Sequence, residues 1–147
     1  MTNNFKHRTP IQIRFKDLDA LGHVNNANHL TYFELARMKY SDDVLGKIDW
    51  SKNGFILASI HLEYKRPILL NDEVTVLSRT SKTGTKSFDM EHVIIRIEKD
   101  GSETILATGG NVLVCIEYQT MKTISLPEEW RASVSAFEGA GLTLPGK

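Results

Sequence analysis

The stretch Arg14-Phe15-Lys16-Asp17-Leu18-Asp19-Ala20-Leu21-Gly22-His23-Val24-Asn25-Asn26-Ala27-Asn28-His29 marks a change of periodicity in the chain. Before it, Ile11, Ile13 and Phe15 alternate with polar residues, the period-two pattern of a half-buried strand, which predicts a first strand ending near Asp17. Within it, Asp, Gly and Asn cluster around Gly22 and Asn25-Asn26, first as turn chemistry and then as helix-capping chemistry. After it, residues 27–45 contain neither proline nor glycine, and Gly46 follows as a helix stop. Leu30, Tyr32, Phe33, Leu35, Ala36, Met38, Tyr40, Val44 and Leu45 spread around most of that helix, so it is expected to be covered on most sides. Glu34 and Arg37, three apart among these apolar positions, read as an ion pair at the rim of the core.

Four strand-like segments follow, at about 55–64, 73–81, 86–98 and 103–118. They are separated by Pro67 with Asn71-Asp72, by Gly84, and by Asp100-Gly101, a two-residue hairpin signal. They are expected to form an antiparallel meander. Gly109-Gly110 within the last predicts a bulge or a close backbone approach. A short helix over residues 127–137 is predicted at the periphery, with Pro127 in its first turn and Glu128-Glu129 at the positive end of its dipole. The chain thus reads as one domain over residues 1–147, with its core at about 10–118. Strand, long helix and four strands make an α+β arrangement in which the sheet curls around the helix and a second subunit covers the remainder.

The 147 residues suffice for one substantial core. Lys plus Arg and Asp plus Glu both number 18, so no net field recommends nucleic acid or an anionic membrane. Cys115 is the one cysteine and sits in an apolar run, which predicts a buried, inert thiol and fits a reducing, cytoplasmic setting. No signal-peptide core and no run of membrane-spanning length occurs in the sequence. The 5 histidines show no metal-ligand spacing, and no cofactor motif is present; Thr83-Gly84-Thr85-Lys86-Ser87 lacks the context of a phosphate loop and reads as a hairpin turn.

The chemistry is concentrated in the opening stretch. Asp17 and Asp19 lie two apart at a strand end, beside a helix N-terminus with unpaired N–H groups. A carboxylate can activate water or attack a carbonyl that such an N–H polarises, which is what acyl transfer requires. Spacing alone is equally met by two aspartates capping a turn and an asparagine capping a helix.

The run from Asp17 to Asn26 followed by Tyr32-Phe33-Glu34-Leu35-Ala36-Arg37 resembles the 4-hydroxybenzoyl-CoA thioesterase-like group of hotdog-fold enzymes. Gly22-His23-Val24-Asn25-Asn26 resembles its long-chain and carrier-protein branch, and Glu63-Tyr64-Lys65-Arg66-Pro67, Asp72-Glu73-Val74 and Lys86-Ser87-Phe88 extend the likeness over most of residues 10–118. The resemblance implies a five-stranded antiparallel sheet wrapped around a long central helix, and hydrolysis of acyl-CoA or acyl-carrier-protein thioesters by a homodimer or homotetramer without cofactor.

By position, the resemblance makes Asp19 the catalytic carboxylate and Asp17 its support, and it puts the carbonyl-polarising N–H at Asn26. The Asn26 side chain would orient water or cap the helix. His23 would serve the site through a turn hydrogen bond rather than through proton transfer. Glu63 would position water or lie as a satisfied polar group at an interface, while Lys65, Arg66 and Lys86 would meet CoA phosphates where solvation alone does not account for them. Two rivals are a non-catalytic acyl-thioester binding module and a hotdog enoyl-thioester hydratase. The latter places an aspartate five residues before a histidine, whereas His23 is four after Asp19.

Overall fold

The computed structural model describes residues 2–144. Its regular elements are β1 (His7–Ile11), α1 (Asn28–Tyr40), β2 (Asn53–Tyr64), β3 (Val74–Thr83), β4 (Ser87–Ile97), β5 (Glu103–Glu117), the two-residue β6 (Lys122–Thr123) and α2 (Glu128–Glu138). All strand pairs are antiparallel, in the order β1-β3-β4-β5-β2, with β6 beside β5 just beyond the start of β4.

Among the strands, two expectations need correction. The meander comprises β3, β4 and β5 only. β2 lies on the far side of β5, at an open edge, because the segment from Lys65 to Glu73 crosses the sheet end instead of turning back as a hairpin; its Ile68 is buried and its carbonyl accepts from Val24 N–H at 2.8 Å. The first strand ends at Ile11, before the alternation does. Residues Phe15–Asp17 form a tight turn because the Asp17 carboxylate accepts from both the backbone and the side chain of Arg14, and Phe15 is left 80% exposed.

α1 begins close to the predicted start and continues through one wider turn, Ser41–Leu45, to Gly46. Its buried face carries His29, Tyr32, Phe33, Ala36, Arg37 and Tyr40, while Leu30 and Leu35 are exposed, so the sheet of one chain covers one face rather than most of the circumference. Tyr32, Phe33 and Ala36 pack on Val24, Ile68, Val74, Val76, Ile94, Leu106 and Ala107. Gly109 is the predicted close approach: a Cβ there would come 2.7 Å from Phe33 Cε2 and would collide with the His61 carbonyl.

α2 is more deeply seated than its predicted peripheral position. Trp130, Val134 and Glu138 are buried, with Trp130 packed beside Tyr40, Phe55, Phe88 and Leu113. Under the middle of α1 a polar rung crosses the sheet: Ser78 Oγ to His92 Nδ1 and His92 Nε2 to Asn111 Oδ1, both 2.8 Å. Burial holds the His92 imidazole neutral, with its pKa pushed down to about 3.

Candidate active site

Asp17 and Asp19 part company at the turn. Asp17 is 1% exposed; its Oδ1 takes the Arg14 guanidinium at 2.9 Å and its Oδ2 the Tyr32 hydroxyl at 2.8 Å, while its carbonyl accepts from Asn25 N–H and Asn28 Nδ2. Burial raises the Asp17 pKa, but the bonds from Arg14 and Tyr32 outweigh it and leave the carboxyl below its ordinary range. This aspartate joins strand end, turn and helix, and it does not line the cleft described next.

Asp19 faces outward. Its Oδ1 accepts from Leu21 N–H at 2.9 Å and His23 N–H at 3.3 Å, and the turn closes through Asp19 N–H to His23 O at 2.7 Å. Gly22 takes φ +81, which the turn requires and other residues rarely adopt. Among the described residues, Asp19 Oδ2 has no hydrogen-bond partner. Bridges from Leu18 to Val24 and from His23 to Leu69 hold the turn against the segment after β2.

That docking creates a cleft of about 340 Å³ lined by Asp19, Leu21, His23, Val24, Asn26, His29, Tyr64, Lys65, Arg66 and Pro67. Of the residues singled out in the sequence, it gathers Asp19, His23, Asn26, Lys65 and Arg66. Asn28, His29 and Leu30 begin the helical bonding, whereas the Asn26 N–H has no acceptor among the described residues. Asn25 Oδ1, rather than the Asn26 side chain, supplies the local cap by accepting from Ala27 N–H at 2.9 Å. The cleft therefore combines a half-free carboxylate, an unbonded backbone N–H at a helix start and two cationic side chains.

Glu63 and Lys86 lie elsewhere in the single chain. Glu63 alternates away from Tyr64 on the edge strand and binds Lys65 Nζ at 2.8 Å. Lys86, at the β3–β4 turn, has its Nζ 3.5 Å from Thr123 Oγ1.

Two further ring-bearing residues line the cleft, Tyr64 and His29, the second of which its place on the first helical turn marks as structural. Tyr64 donates its hydroxyl to the Asn26 carbonyl at 2.8 Å, tying the end of β2 to the helix start. His29 is 2% exposed, stands edge-on to the Tyr64 ring at 4.8 Å, and has an Nδ1 without a partner among the described residues; burial lowers its pKa. An aromatic residue adjoining Lys65-Arg66 was the available signal for Tyr64. His29 carried none beyond its place in the first helical turn.

The model of the thioesterase-like superfamily matches residues 13–134. The chain belongs to this superfamily. Long-chain acyl-CoA thioesterase FadM of Escherichia coli strain K12 is 31% identical over 126 residues, covering 84% of this chain and 93% of FadM. A thioesterase from Thermus thermophilus, solved with coenzyme A and zinc, is 40% identical with a TM-score of 0.78, over 92% of this chain and 96% of that one. A 4-hydroxybenzoyl-CoA thioesterase complexed with 4-hydroxybenzoyl-CoA shares the fold at 18% identity and a TM-score of 0.80, over 87% of this chain and 97% of that one. The hotdog fold and the thioester-hydrolase class implied by the sequence are thereby met. No helix among the described residues is long and apolar enough to cross a membrane.

Proposed function

We propose that this thioesterase hydrolyses acyl-CoA at the Asp19 cleft, with the whole chain acting as one catalytic domain in a homodimer. The observation that carries the assignment is the environment of Asp19. One carboxylate oxygen is fixed by two backbone N–H groups of its own turn, and the other is free at the cleft beside the unbonded Asn26 N–H. The free oxygen takes a proton from water as that water attacks the thioester carbonyl, or it attacks the carbonyl itself to give a mixed anhydride that water opens. In both routes the C–S bond breaks, the acyl group leaves as the free acid and the sulfur as the CoA thiol. The Asn26 N–H, at the positive end of α1, stabilises the charge that develops on the carbonyl oxygen.

His23 supports the site through the backbone bond that closes the turn, and Asp17 supports it from beneath. Lys65 and Arg66 suit the phosphates of CoA at the cleft mouth, a feature that favours CoA over a carrier protein. The edge strand β2 leaves Ile56, Leu57 and Tyr64 exposed beside an unpaired row of backbone groups, which supports pairing with a second copy there. In such a dimer Glu63, on that edge strand, would lie at the interface. The buried, free Cys115 thiol, its pKa pushed up to about 11 by burial, suits a reducing cytoplasm.

Thiol release from a panel of acyl-CoA thioesters, comparing the wild type with Asp19→Asn, tests the reading. Turnover by the wild type and its loss in a folded variant are expected. Binding without turnover by the wild type would instead identify a binding module. Single turnover in heavy-oxygen water separates the two routes, because only the anhydride path can label the Asp19 carboxylate.

A further inference from the structure

A second cavity, of about 460 Å³, lies along the same two elements, α1 and β2, that wall the cleft. On α1 the cleft is lined by His29 and the cavity by Glu34, Arg37 and Met38; on β2 the cleft is lined by Tyr64 and the cavity by Phe55 and Leu57. From His29 to Arg37 is eight residues, or about 12 Å along the helix axis, the reach of a medium-length acyl chain. Apart from Glu34 and Arg37 the lining is apolar or aromatic, and the Tyr118 hydroxyl is already committed to the Phe55 carbonyl at 3.1 Å.

Arg37 is out of keeping with that lining. It is 6% exposed, and among the described residues its Nη1 has no hydrogen-bond acceptor. The nearest carboxylate, Glu34, lies 3.9 Å from Nη2 with a side chain 66% exposed, so the rim ion pair expected from the sequence is at the limit of contact. The rung beneath offers nothing further, since the Asn111 Oδ1 and both His92 nitrogens are committed, and the Asn111 Nδ2 is itself a donor without an acceptor. A buried guanidinium without an anion is costly, and removing its competitors leaves the demand for one unmet.

Resting on the thioesterase reading above, we propose that this cavity receives the far end of the acyl chain and that Arg37 binds a carboxylate there, making ω-carboxyacyl-CoA a preferred substrate class. Methylene groups of the substrate would run beside α1 from the cleft, and the terminal carboxylate would accept from Arg37 Nη1, with exposed Glu34 turning into solvent. A chain ending in methyl leaves that donor buried and unpaired, which is how a polar pocket discriminates against the analogue lacking its partner.

The test compares kcat/KM for sebacoyl-CoA and decanoyl-CoA, alike in length but ending in carboxylate and methyl, in the wild type, Arg37→Met and Arg37→Lys, with the oligomeric state of each measured by light scattering. The wild type is expected to favour sebacoyl-CoA by more than about ten-fold, a difference of about 1.4 kcal/mol. Arg37→Met should reverse the order chiefly through KM, and Arg37→Lys should keep it in weakened form. A wild type that prefers decanoyl-CoA, or an Arg37→Met that slows both substrates alike, overturns the proposal. Equal slowing together with dissociation would assign Arg37 to a carboxylate of a second copy instead, and overturns it as well. Should neither thioester be cleaved, the thioesterase reading itself fails. Sebacate binding by calorimetry then decides the cavity separately, wild-type binding that weakens in Arg37→Lys supporting it and no binding refuting it.

Discussion

At its N-terminal end α1 leaves polar groups open, with the Asn26 N–H and one Asp19 oxygen unbonded among the described residues, whereas its C-terminal end is tied down from several directions. There the Tyr40 hydroxyl donates to Glu138 at 2.5 Å, Thr80 donates its N–H to the same carboxylate and its hydroxyl to Tyr40, and Asp43 holds His7 at 2.8 Å and Lys39 at 3.4 Å. One helix thus divides labour along its length. The anchored end lets the other keep groups unsatisfied in a fixed position, which is the form preorganised catalysis takes.

The largest effect should come from the open end. Asp19→Asn is expected to lower kcat for acyl-CoA by about a thousand-fold or more, from loss of the base or nucleophile, with an unchanged thermal midpoint. A midpoint that fell with the activity would make Asp19 part of the scaffold. Asp17→Ala, only two residues away, should do the reverse first. It strands Arg14 and buried Tyr32, at about 2–3 kcal/mol of stability by denaturant unfolding, and activity should fall only as the turn loosens.

At the anchored end, Tyr40→Phe removes one of two donors to the buried Glu138 carboxylate and should cost about 1–2 kcal/mol with kcat/KM held. A drop in activity as large as the drop in stability would show that the two ends are not separable. Between them, His92 sets an acid limit. Its folded pKa of about 3 lies below the ordinary 6.5, so the unfolded chain binds the proton first. Stability should therefore decline as pH falls from 6.5 towards about 3, by up to about 1.4 kcal/mol per pH unit. Denaturant midpoints across that range should be flatter in His92→Gln. The smallest effect is expected for Tyr64→Phe, which loses the bond to the Asn26 carbonyl; kcat should fall a few-fold with little change in melting, and an unchanged kcat would remove Tyr64 from the positioning of the helix start.

These contrasts also explain what the sequence revealed. β3, β4 and β5 were legible because alternation and turn residues agree over long segments, but alternation specifies a face and not a neighbour, so the place of β2 beyond β5 was hidden. β1 ends earlier than its alternation predicts because Asp17 bends a stretch whose pattern still reads as strand. Only the resemblance singles out Asp19 and Asn26, since the burial that separates Asp17 from Asp19 leaves no trace in two carboxylates two residues apart. For Glu34 and Arg37 the spacing predicts a pair at the rim of the core, but it does not tell that the sheet buries Arg37 while Glu34 stays exposed.

Gly109 gives the molecule its calibre. With no side chain there, the Phe33 ring settles onto the backbone of β5, and the height of α1 above the sheet follows from that contact. One missing methyl group on the sheet floor thus sets the space between helix and sheet. Any side chain added at Gly109 would consequently have to lift α1 off the sheet, and the helix start that borders the Asp19 cleft would move with it.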